Sequence, residues 1–198
     1  MKIKSRKSIV HGVGVNDSKS TVSFIINGKR SVCPVYDKWK SMLARCYSKR
    51  AIIKNPTYAG CSVCDEWLLF SKFKKWHDEN YSKGMHIDKD IKVIGNKVYG
   101  PEFCLFVTRD VNNLLTKPRE RESGLKTGVS YCNRDEVYIA SVSSYGKLIR
   151  IGSFGNKRDA RNAYVKRKNE EINRHMKENP DISKYLINHL LSLEEAGL

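Results

Sequence analysis

His86 is followed directly by Ile87-Asp88-Lys89-Asp90, so an imidazole and two carboxylates fall within five residues. A neutral imidazole can take a proton from water, and a nearby carboxylate oxygen can hold a divalent cation that polarises a phosphoryl group. Asp88 and Asp90 lie on one face only if the strand that carries them is regular. The plainer alternative is a strand histidine followed by a solvated Asp-Lys-Asp turn.

A second set of reactive side chains is the cysteines. Cys61 and Cys64 form a CxxC pair, with Cys46 upstream and Cys104 downstream. Four thiolates could bind Zn²⁺ tetrahedrally as a structural staple. The spacing lacks the second CxxC of a paired zinc site. Buried free thiols packing as small hydrophobes are the other reading. Cys33 and Cys132 have no evident partner.

The chain that positions these groups has 198 residues, 37 Lys plus Arg and 21 Asp plus Glu, for a formal charge of +16. Residues 1–50 carry twelve basic and two acidic side chains, a balance of +10. Lys and Arg that neutralise phosphates release condensed counterions, so this charge points to nucleic acid. A solubilising basic surface is the alternative. No stretch is long and apolar enough for a membrane span or a secretory signal. The expectation is a cytoplasmic chain with no membrane partner and no small-molecule substrate.

Two β-rich runs flank Asn27-Gly28 within residues 21–35, which predicts a hairpin. Apolar residues at spacings of three and four predict helices over 35–47 and 66–77. The second helix's aromatics Trp67, Phe70, Phe73 and Trp76 could stack bases, but a stripe at helical spacing reads as core. Residues 85–108 read as two short extended pieces around a Gly-Asn-Lys turn, followed by a helix from Asp110 to Leu115 that bears Asn112 and Asn113. Residues 117–126 mix charge with Pro and Gly and read as a linker. Three strands near 128–131, 137–142 and 148–151 follow, then a helix over 157–177. Pro180 interrupts before a last short helix over 182–193. On the 157–177 helix Ala160, Ala163 and Tyr164 form the packing face, and Arg158, Arg161 and Lys168 the opposite one, whose plain reading is solvation.

Residues 85–113, MHIDKDIKVIGNKVYGPEFCLFVTRDVNN, resemble the ββα-metal motif of HNH nucleases. The matching positions are His86-Ile87-Asp88, Asp90, Glu102, Val107-Thr108 and Asn112. The resemblance implies His86 as general base and Asn112 as a ligand to Mg²⁺ or Mn²⁺, with Asp88 or Asp90 supplying a further oxygen. The sequence departs from the motif at Met85, at Phe103 and in a longer loop between the strands. More widely, WKSMLARCYS, PTYAGCSVCDEWLLFSKFKKW, IDKDIKVIGNKVYGPEFCLFV and NNLL look like a group of phage-encoded HNH-like endonucleases. In a phage protein the compartment would be the host cytoplasm.

Residues 127–172 resemble an APETALA2-type DNA-binding domain through Gly128-Val129, Tyr138 to Ala140, Gly146-Lys147, Ile151-Gly152, Phe154, Ala160 and Ala163-Tyr164. That family lays a three-stranded sheet in the major groove of duplex DNA. By position the resemblance implies contacts from Tyr138 and Arg150, along with Thr127 and Ser130. Arg134, Ser141, Ser143 and Lys147 are neighbours that could add contacts, and Arg150 alone keeps a base-reading guanidinium.

The fold expected is α+β, in four parts. Residues 1–116 form an HNH-like module with a basic N-terminal region, and 117–126 a linker. Residues 127–177 form a sheet-plus-helix DNA-binding domain, and 178–198 a helical tail. The function expected is a metal-dependent DNA endonuclease of homing type. A non-catalytic DNA-binding or regulatory protein on the same scaffold is the alternative, and Met85 and Phe103 favour it. An RNA-binding protein is a third reading, which charge alone does not separate from the others.

Overall fold

The computed structural model describes residues 9–115 and 124–195, with side chains up to residue 190. Most of the expected linker, the first eight residues and the last three lie outside the described residues. The fold is mixed α+β and divides into two compact units. The first is the chain up to Lys83 with Ile87–Phe106, and the second is Gly84–His86 with the chain from Val107 onward.

The first unit opens with the antiparallel pair β1 (Ile9–Val10) and β2 (Gly14–Val15). The hairpin β3 (Ser23–Ile26) and β4 (Lys29–Val32) follows, turning at Asn27-Gly28. Both turn residues have positive φ, 50° and 71°, as a type I′ turn requires. Pro34 starts α1 (Pro34–Tyr47), a position where its missing N–H is harmless. Ser48 caps α2 (Lys49–Lys54). The pair β5 (Ser62–Val63) and β7 (Val98–Tyr99) is parallel. The helix expected over 66–77 is instead a 3-10 turn, Asp65–Leu68, followed by α3 (Phe70–Asn80). Leu69 is extended between them, and the Asp17 carboxylate accepts from the Ser71 N–H at 2.8 Å in the first turn.

The aromatic stripes are core. Trp39, Trp67, Phe70 and Phe73 are fully buried with Met42, Leu43 and Cys104. Trp39 Nε1 donates to the Trp67 carbonyl at 2.7 Å, which joins α1 to the 3-10 turn. Gly14 lies so close to α1 that a Cβ there would meet Leu43 at 2.3 Å.

The short strands β6 (His86–Asp88) and β8 (Leu105–Val107) pair in a two-stranded ladder where the chain passes from one unit to the other. Next comes α4 (Arg109–Leu115), where Thr108 Oγ1 accepts from the Val111 N–H at 3.3 Å. The second unit continues with β9 (Val129–Cys132), β10 (Val137–Ser144) and β11 (Lys147–Phe154), an antiparallel sheet in the order β11-β10-β9. Behind it lies α5 (Lys157–Glu178), capped by Asn156, whose side-chain oxygen accepts from Asp159 N–H at 2.9 Å. Ala140, Val142, Val129, Ala160, Tyr164 and Leu125 make its core.

Three expectations change here. First, α4 packs on α5 and β10, and the Asp110 carboxylate accepts from the Gly146 N–H at 2.9 Å. α4 thus lies with the second unit, which takes Gly84–His86 as well as the chain from Val107, so the residues expected as one module are divided between the two. Second, Pro180 begins α6 (Pro180–Glu195), which packs along α5, so residues 178–195 belong to the second unit instead of forming a tail. Third, Lys168 is buried, not solvated. Nearby, the fully buried Glu171 is bonded by Arg167 at 2.7 Å, Arg174 at 3.0 Å and the Ser144 hydroxyl at 2.7 Å. A carboxylate taken out of water needs such a set of donors.

Candidate nucleic-acid interface

The sheet of the second unit has one covered and one open face. Ala140, Val142, Ser144 and Val129 are buried toward α5. Alternation sends the intervening residues outward, and the register pairs Ser141 with Arg150, Ser143 with Leu148, and Ile139 with both Ser130 and Ser153. The open face therefore carries a guanidinium among four small hydroxyls, with Leu148 largely exposed. A bulge opposite Ala140 and Ser141 shifts β11 by one residue. That shift turns Arg150 and Ser153 to the same side, where Arg150 Nη2 donates to Ser153 Oγ at 2.5 Å.

The other expected contact residues distribute differently. By register Tyr138 faces α5, packs on the core, and contacts the ring of Tyr131 at 4.9 Å. Arg134 is exposed but holds Asp135 through two bonds, of 2.8 and 3.0 Å. Lys147 is exposed at the β10–β11 turn. Thr127 offers its carbonyl to Arg161 at 2.9 Å. Sequence reasoning missed Ser153 and Leu148. A β-bulge has no signature in a run such as Leu-Ile-Arg-Ile-Gly-Ser, so their facing was not readable.

The HNH-like segment divides between the units: His86 and Asn112 belong to the second, Asp88 and Asp90 to the first. His86 is exposed on β6, and Asn112 is half-buried on α4. Asp88 Oδ1 accepts from the N–H groups of Asp90 and Ile91, both at 2.7 Å, and so closes a turn. Lys89 is buried. Its ammonium donates to both Asp90 oxygens at 2.8 Å and to the Asn96 carbonyl at 2.7 Å. Asn96 in turn donates to the Lys89 and Val98 carbonyls, so the Gly-Asn-Lys turn closes the loop. The additional loop length thus has a structural use.

This arrangement does not fit a divalent ion at Asp90, because an ammonium group already sits across its carboxylate. Among the described residues no three His, Cys, Asp or Glu side chains are grouped to hold a metal. The four cysteines of the zinc expectation are likewise not grouped in this way among the described residues. Cys46, Cys61 and Cys104 are buried, Cys64 is half-buried, and all are free thiols in the first unit. Burial pushes the Cys46 and Cys104 thiols up to about 12. Cys46, Cys61 and Cys104 lie in the hydrophobic core of the first unit, with Cys64 packed against it.

Comparison of the chain with protein-family models, curated proteins and solved structures returns no match. No helix among the described residues is long and apolar enough to cross a membrane.

Proposed function

We propose that this chain is a duplex-DNA endonuclease of the HNH homing type, which grips DNA with the open face of the β9–β10–β11 sheet. The observation that carries the reading is that face: Arg150 among Ser130, Ser141, Ser143 and Ser153. A guanidinium can bond guanine bidentately, small hydroxyls reach phosphates or bases, and none of the three strands carries an acidic residue. The formal charge of +16 supports the same partner. The architecture, three antiparallel strands backed by a helix, is the one that the APETALA2 resemblance implies.

For the chemistry, β6, a loop, β8 and α4 follow one another in the order of a ββα unit, and His86 stands exposed on the first strand. Its role is to accept the proton of the attacking water. The Asp90 carboxylate is held by the Lys89 ammonium and is not assigned as a metal ligand. That pair favours a second reading, a DNA-binding protein that does not cut. Plasmid nicking with Mg²⁺ or Mn²⁺ separates the two. His86→Ala is expected to bind like the wild type and to nick about 10²–10⁴-fold more slowly. Arg150→Ala is expected to weaken binding without abolishing chemistry. If the wild type does not nick, the non-catalytic reading replaces the first. If His86→Ala nicks at the normal rate, the base lies elsewhere. Competition between duplex DNA and duplex RNA checks the polymer.

A further inference from the structure

The β3–β4 hairpin exposes three consecutive apolar side chains, Phe24 (40%), Ile25 (77%) and Ile26 (54%). It is a two-stranded ribbon, an arrangement that is marginal in water without further packing. Its base is nevertheless fixed. Val22 packs on the core of the first unit, the Cys33 N–H donates to the Val22 carbonyl at 2.9 Å, and Pro34 leads directly into α1. The free end is therefore held out by a rigid root. The register sets Ile25 opposite Arg30 and Ile26 opposite Lys29, so each face of the tip pairs an isoleucine with a cation. Arg30 Nε donates to Ser23 Oγ at 2.8 Å, which lays the guanidinium along the ribbon. No acidic residue occurs between Asp17 and Asp37.

We infer that this hairpin is a DNA-inserting arm: Ile25 and Ile26 enter between base pairs from the minor groove, and Lys29 and Arg30 hold the adjacent phosphates. The inference rests on the duplex-DNA reading above and adds a second, deforming contact to it. Apolar wedges flanked by basic residues unstack and kink a duplex in this way. Charge complementarity selects DNA over a second copy of the chain, because another hairpin would offer Lys29 and Arg30 no acidic residue to meet.

The test uses the full chain and a short duplex carrying 2-aminopurine, with a fluorophore pair at its ends. Wild-type binding is expected to raise 2-aminopurine emission and shorten the end-to-end distance. The Ile25→Ala/Ile26→Ala variant is expected to bind roughly tenfold or more weakly, with neither signal. Both side chains are exposed, so the variant should keep the wild-type circular dichroism. Two results overturn the arm and leave the duplex reading intact: binding by the wild type without unstacking, or an unchanged signal in the variant. A free wild-type dimer that becomes monomeric in the variant also overturns it, because the patch would then be a copy interface. A wild type that binds no duplex at all overturns the underlying reading and the arm with it.

Discussion

Gly128 has φ +90°, and a Cβ there would lie 2.1 Å from the ring of Tyr164. Gly128→Ala therefore combines a left-handed backbone penalty with an overlap that the buried ring can relieve only by moving off α5's packing face. The expected cost is about 2–4 kcal/mol, read as a lower denaturant midpoint of the second unit. The thiols give another check at this scale. Native protein should be alkylated at the half-exposed Cys33 and Cys132, and protected at Cys46, Cys61 and Cys104 until it unfolds. A chelator should leave the melting temperature unchanged, whereas a large drop would show the cysteines binding zinc. Gly128 stood out in the sequence only within the Gly128-Val129 match of the APETALA2 resemblance, and its reason, contact with a ring 36 residues later, was not readable. Likewise Asp88 and Asp90 look alike as a pair of carboxylates. Only the buried ammonium of Lys89 shows that one closes a turn and the other completes an ion pair.

The elements followed from periodicity wherever one face is buried. The 35–47 helix, the Asn-Gly hairpin and the three strands of the second unit all stand close to where their patterns put them. Short pairings with no period of their own, β1–β2 and the parallel β5–β7, were not readable. Nor was the allegiance of α4, because seven residues carry too few apolar positions to say which unit they cover. The solvated face assigned to α5 failed at Lys168, which α5 carries into the interior. Burial, and then the charge of Arg161, lowers its ammonium to about 8. An unfolded lysine titrates near 10.4, so between these values the unfolded chain binds the extra proton. Stability of the second unit should therefore rise with pH across that window, by about 3 kcal/mol at most, with the cost fully present below it. Lys168→Met should remove that slope and raise the denaturant midpoint at neutral pH. A variant less stable than wild type at neutral pH would show that the ammonium is paired and favourable.

For the whole molecule, the proposed duplex-DNA partner rests on the basic surplus and the open sheet face. The most direct measurement is the affinity of the full chain for duplex DNA across a series of salt concentrations. Each phosphate neutralised by Lys or Arg releases about 0.9 counterion, so roughly six contacts give a slope of log K against log salt near −5. The account predicts tight binding at low salt that weakens steeply along such a line. An affinity that does not change with salt, or no binding at low salt, would contradict it.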